Sequence, residues 1–218
     1  MKYLLILTLA IISLLSCSPN KTKEDNGLFD RSKMEKIQKS HALMSEEQFW
    51  SLINQSKKSS DDLAQLAENI TQNLSNLTSA EIIGFYLREQ KLRFDSYTSD
   101  LWCAAYIMNG GCSDDGFEYF RCWLIAQGKE AYYSSIKDPD YLVNLYSKEM
   151  EEYEFEDLMY VASNAFEQKT KKDIEHYVDY AHFKENEGHY PEIKLSWKEN
   201  DEESMKKICP QLMQVARK

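Results

Sequence analysis

Apolar positions recur along this chain at helical spacing, and no segment alternates apolar and polar residues for long enough to make a strand. Ser45-Glu46-Glu47-Gln48 is a capping box, and Phe49, Trp50, Leu52 and Ile53 continue it as an amphipathic helix to about Lys57. Ser60 is placed to cap a second helix, whose Leu63, Leu66, Ala67, Ile70 and Leu74 form one stripe. Another capping box, Thr78-Ser79-Ala80-Glu81, opens a long helix through Ile82, Ile83, Phe85, Tyr86, Leu87 and Phe94. Ser99 caps a helix through Leu101, Trp102, Ala104, Ala105, Ile107 and Met108, which Asn109-Gly110-Gly111 ends. Further helices are expected from Ser113 to Gln127, from Lys129 to Ile136, after Asp138-Pro139, from Phe155 to Lys169 and around Ile174, Tyr177, Val178 and Ala181. His189 to Trp197 reads as irregular, and Glu202 to Val215 as a last helix bent at Pro210. The expected fold is all-α, a single multi-helix domain.

The pattern is densest between Ser99 and Gly128. This stretch holds four of the chain's seven glycines and two of its four tryptophans. From Phe117 to Ala126 only Glu118 and Arg121 are neither apolar nor aromatic, so this helix must be wrapped on nearly all sides.

Ahead of the helical part, Met1-Lys2 and the apolar run from Tyr3 to Leu15 read as an export signal, too short for the ~20 residues of a membrane span. The run closes in Leu14-Leu15-Ser16-Cys17, which resembles the lipobox of bacterial lipoproteins. That resemblance implies cleavage after residue 16, acylation (palmitate among the chains) of Cys17 and a stable membrane anchor. Residues 17–44 then read as the lipidated cysteine and a polar flexible tether, and residues 45–218 as the folded domain. The expected location is the cell envelope, with Ser18 favouring the outer membrane.

The formal charge is −10, and losing residues 1–16 removes one lysine and no acid. A chain this acidic, without a basic cluster, is not built for nucleic acid. Cys103, Cys112, Cys122 and Cys209 remain as free thiols or as disulfides, in any of three pairings.

The opening SEEQFW and the central LWCAAYIMNGGCSDDGFEYFRCWLIAQG resemble the bacterial family known as domain of unknown function 4240. So do DLMYVASNAFEQKTKKD and WKENDEESMKKICPQL. The resemblance spans most of Ser45 to Lys218 and implies a compact helical domain without supplying an activity. The lipoprotein-type start and the segment from Lys171 to Pro191 depart from the family pattern.

Among chemistry-bearing residues, Asp114, Glu118 and Arg121 fall at i, i+4 and i+7 on the central helix. They read either as a structural set, with Glu118 paired to Arg121 and Asp114 and Asp115 as N-terminal anions, or as a pocket. Such a pocket would add Asp115 and either Asp100 or Asn109 and take a small polar or cationic ligand or a divalent metal. Glu175, Asp179 and His182 have the same spacing and are a weaker candidate for a metal face. Cys112, at a helix start, reads first as a buried or disulfide-bonded cysteine, with a lowered thiol pKa as the alternative. No nucleophile elbow, phosphate loop or zinc spacing is present, and no cofactor is expected. The favoured reading is a membrane-anchored binding domain with a protein partner. An immunity-type protein with an acidic surface against a basic toxin, and an enzyme working at the Asp114–Arg121 line, are the alternatives.

Overall fold

A computed structural model describes residues 36–186 and 188–216. The expected signal segment, Cys17 and the tether as far as residue 35 lie outside the described residues. Among those described there are ten α-helices, three short 3-10 helices and no strand; Ser40–Val178 and Lys198–Asp201 are isolated bridges.

The first three helices are α1 (Glu46–Lys58), α2 (Leu63–Ser75) and α3 (Ser79–Asp95). Each starts at a side-chain oxygen that takes up an otherwise orphaned N–H. Ser45 accepts from Gln48 N, and Thr78 and Glu81 form the reciprocal box. The cap of α2 is Asp62, whose carboxylate accepts from Gln65 N at 2.8 Å, and not Ser60. Ser60 lies in the turn before it and donates to Ser56 O. Then come α4 (Ser99–Asn109), capped by Thr98 one residue ahead of the expected Ser99, α5 (Asp114–Gln127) and α6 (Lys129–Lys137).

Two helices occupy the interior. On α5, Phe117, Phe120, Cys122, Leu124, Ile125 and Ala126 are fully enclosed, as the sequence requires. On α3, Ile82, Ile83, Phe85 and Leu87 are enclosed as well, which makes it a second inner helix. Each such Phe or Leu contributes about 1.5–3 kcal/mol, so α3 and α5 carry much of the folding free energy. They pack on each other, with α4 and α6 against α5, and α1 and α7 (Val161–Thr170) against α3. The chain from Ala42 to Met44 crosses α3 at Gly84, where Met44 N–H donates to Gly84 O at 2.8 Å. A Cβ at Gly84 would sit 3.0 Å from Met44 N, so any side chain there would push the two backbones a few tenths of an ångström apart. Met44, at the end of the expected tether, is itself buried.

Three expected helices are interrupted. Residues 155–169 divide into a 3-10 turn, Glu156–Met159, and α7, because Phe155 N–H is drawn to Tyr119 O on α5. Around Ile174 only a 3-10 turn forms, Ile174–Tyr177, followed by α8 (Tyr180–Asn186). Ser40 bonds Tyr177 O and Asp179 N at 2.9 Å each, taking the two backbone groups that a continuous helix would need. The C-terminal segment is two helices, α9 (Glu202–Lys206) and α10 (Pro210–Ala216), with Pro210 at the first position of the second instead of at a bend. The start of α10 is capped from elsewhere: buried Asp140 accepts from Gln211 N at 3.0 Å and from Leu212 N at 2.9 Å.

The corner between α4 and α5 uses Gly110 at φ 66° and Gly111 at φ 148°. Nothing lies within 4 Å of a Cβ at either position, so a side chain there is opposed by backbone strain and not by crowding. Gly111→Val is expected to lower stability by about 1–3 kcal/mol in urea denaturation. An unchanged midpoint would refute this account of the corner.

Candidate functional site

The polar residues of α5 separate into an exposed group and an enclosed one. Asp114 and Asp115 stand exposed in the first turn, behind Ser113, which accepts from Gly116 N at 3.1 Å. Glu118 is 26% exposed at its side chain, and Arg121 as a residue is 1% exposed. Glu118 and Arg121 do not pair with each other. Glu118 pairs with Arg93 of α3, and Arg121 is directed at the end of that helix: its Nη1 donates to Arg93 O at 2.6 Å and its Nε to Phe117 O at 3.0 Å. The last carbonyls of α3 have no partner within the helix and carry its negative dipole end, so a guanidinium there satisfies both needs. Tyr132 Oη donates to Leu92 O at 2.5 Å beside it.

Around this contact lie four charged side chains that balance: Glu89, Arg93, Glu118 and Arg121. Arg93 Nε donates to Glu89 at 2.5 Å, and Glu89 is 2% exposed. Burial pushes the Glu89 carboxyl up, against the pull of Arg93. Aromatic rings close over Arg121, with its guanidinium carbon 5.0 Å from the Tyr97 ring centre, 4.7 Å from Phe117 and 5.1 Å from Tyr190. Tyr190, itself 39% exposed, comes from the irregular segment after α8 and donates to Glu118 at 2.7 Å. Glu89, Arg93, Tyr97 and Tyr190 were not anticipated. The first two were within reach of the sequence, since Glu89 and Arg93 continue the buried Ile82–Tyr86 face at helical spacing.

The remaining candidates fall elsewhere. Asp100 accepts from Ser196 Oγ at 2.8 Å and fastens the segment before Trp197 to α4. Asn109 accepts from Tyr153 N at 2.9 Å, while its Nδ2 is buried without a partner. Glu175, Asp179 and His182 lie on different elements. Glu175 receives the hydroxyls of Tyr86 and Tyr180, Asp179 accepts from His182 N, and the His182 ring stacks on His41 with centres 3.7 Å apart. Among the described residues no three His, Cys, Asp or Glu are placed to hold a metal ion. The Cys112 thiol is pushed up to about 12, by burial first and by the charge of Glu154 second, which reverses the lowered value expected of a helix start.

A second feature lies on the outside of α5. The segment ahead of α7 brings Glu154 onto the first turn of α5, where its Oε1 would be 3.1 Å from a Cβ at Gly116. Tyr119 lies in the field of Glu156 and Asp115, and Tyr160 donates to Glu156 at 3.0 Å. Asp114, Asp115, Glu152, Glu154, Glu156 and Asp157 thus share one face with two tyrosines. Among the described residues none of these six has a cation within 4 Å. Partial burial raises the Glu154 carboxyl, and repulsion from Glu152 and Glu156 adds to the shift. Asp157 also lines a polar groove of about 540 Å³ between α2 and α7, with Glu68, Gln72, Asn164 and Gln168.

A family profile described as "Protein of unknown function (DUF4240)" matches residues 44–168. No curated protein and no solved structure matches the chain.

Two measurements check this geometry. Arg121→Met is expected to cost about 3 kcal/mol or more, because it leaves a buried carbonyl and carboxylates unbalanced. Glu118→Gln, at the wet edge of the cluster, is expected to cost less than about 1 kcal/mol. Equal losses in the two variants would contradict the enclosed arrangement. In alkylation at pH 8, Cys112 is expected to react with iodoacetamide at less than about a tenth of the rate of an unstructured cysteine. A faster rate would mean that the thiol is activated after all.

Proposed function

The chain belongs to this DUF4240 family, and we propose that it is a membrane-anchored binding domain that presents its acidic face to a protein with a basic surface. The observation that carries the reading is the set of six carboxylates around the start of α5, crowded together and without a cation partner among the described residues. Like charges held together raise the energy of the free protein, and a cationic surface docking there removes that cost and speeds encounter. Tyr119 and Tyr160 supply the amphipathic contact area that protein interfaces favour. The anchoring part of the proposal is supported by the lipobox-like Leu14-Leu15-Ser16-Cys17, and with it a location at the cell envelope. A toxin neutralised by a dedicated acidic partner is one basic protein of the required kind.

The enzyme alternative receives less support. Its line of Asp114, Glu118 and Arg121 does not converge on a cavity, since Asp114 is solvated, Glu118 is paired with Arg93 and Arg121 is enclosed by rings.

The full chain, produced in its own cells with a photo-crosslinking residue at Tyr160, tests the partner. A crosslinked basic protein is expected, and the triple variant Glu152→Lys, Glu154→Lys, Glu156→Lys should weaken capture at least tenfold, about 1.4 kcal/mol. The variant's Tm should be unchanged or higher, because three repelling charges are gone. Capture undiminished by the charge reversal, or an acidic partner, would overturn the reading. Incorporation of an alkyne fatty acid, abolished by Cys17→Ala, tests the anchor.

A further inference from the structure

Four cysteines of the domain are free thiols in the structure, and two of them have polar partners of their own. Cys122 Sγ lies 3.9 Å from Glu89 Oε1, and Cys112 Sγ lies 3.7 Å from Ser113 O. Cys103 and Cys209 are arranged differently. Cys103, on α4, packs in a small buried cluster with Trp197, Met205 and Met213. Cys209 N–H donates to Met205 O at 2.9 Å, and Met213 N–H donates to Cys209 O at 3.0 Å. Met205, Cys209 and Met213 therefore follow one another at four-residue spacing, and Cys103 packs with the two methionines on either side of Cys209. The neighbouring Cys103 thiol and burial both push the Cys209 thiol up, and both residues are fully buried. Asp140 holds the N–H groups of Gln211 and Leu212, and so fixes the chain just after Cys209.

We propose that Cys103 and Cys209 are a disulfide site, closed when the chain folds in an oxidising compartment and tying α4 to the start of α10. That compartment rests on the export reading above; the pairing rests only on the geometry. A low-molecular-weight disulfide such as oxidised glutathione supplies the oxidant. One protein thiolate attacks it, forming a mixed disulfide and releasing one glutathione thiol. The second protein thiolate then attacks the cysteine sulfur of the mixed disulfide and releases the other. Two protein thiols become one disulfide, and one small disulfide becomes two thiols. Both sulfurs are shielded in the folded chain, and the neighbouring Cys103 thiol and burial both favour the protonated form of Cys209. The bond therefore forms during folding, before the core closes. It closes a loop of about a hundred residues, a length at which restricting the unfolded chain has a large effect.

The full chain, unfolded and then refolded in a glutathione redox buffer, tests the pairing. Titratable thiols counted after denaturation should fall by two, peptide mapping should link the Cys103 and Cys209 peptides, and Tm should rise by about 5 °C or more over the reduced protein. Native reduced protein given the same buffer should oxidise at least tenfold more slowly. Cys103→Ser or Cys209→Ser should abolish the redox dependence of Tm, and Cys112→Ser should leave it intact. No link between the two peptides, or a link to Cys112 or Cys122 in its place, overturns the pairing. A link formed on refolding but absent from protein alkylated at cell lysis keeps the pairing and overturns the export reading.

Discussion

The end of α3 is buried, and the rest of the structure accommodates that fact. A helix terminus leaves carbonyls that water would otherwise solvate, and each unmet group inside a protein costs on the order of 1–3 kcal/mol. Here the cover comes from outside the helix: Arg121 on α5, the Tyr132 hydroxyl on α6 and Ser96 just beyond the end. Bringing a guanidinium into the interior creates a second need, met by the nearby charge of Glu89, with Glu89 and Glu118 also balancing Arg93, and by the faces of three aromatic rings. One buried helix end thus determines which residues α3, α5 and the segment at Tyr190 must bring together.

The same helix, α5, shows how position decides what a charge does. At its solvated start, Asp114 and Asp115 complement the positive end of the dipole and remain available to an outside charge. Two turns later Arg121 is locked by partners on every side and has no chemistry left to offer. The sequence presents these residues as one periodic line, and the fold assigns them to different environments.

What was legible in the sequence was local. The Ser45 cap, the reciprocal Thr78–Glu81 box, the glycine corner between α4 and α5 and the enclosed character of α5 all follow from interactions among residues a few positions apart, and they stand where the pattern puts them. Of the Ser45–Gln48 box only the Ser45 half forms. The interruptions were not legible, because their causes come from far along the chain. Ser40 removes two backbone groups near Asp179, and Tyr119 draws Phe155 out of helical register. The candidate site failed for the same reason. Pairing Glu118 with Arg121 is the natural guess for neighbours three residues apart, but a stronger claim on Glu118 arrives from Arg93, in another helix. Glu89 and Arg93 themselves were hidden by the habit of reading charge as surface, although their register already placed them on the buried face of α3.

Asp140 gives the boundary of the family its physical meaning. The matched region ends at residue 168, yet the groups that satisfy this buried carboxylate are Gln211 and Leu212, and one ring over Arg121 belongs to Tyr190. A piece of chain cut at residue 168 would keep the two charges that the interior finds hardest to tolerate and lose part of what neutralises or covers them. The matched body and its C-terminal continuation are therefore one packed unit, because the buried Asp140 of the first is satisfied by the helix start of the second.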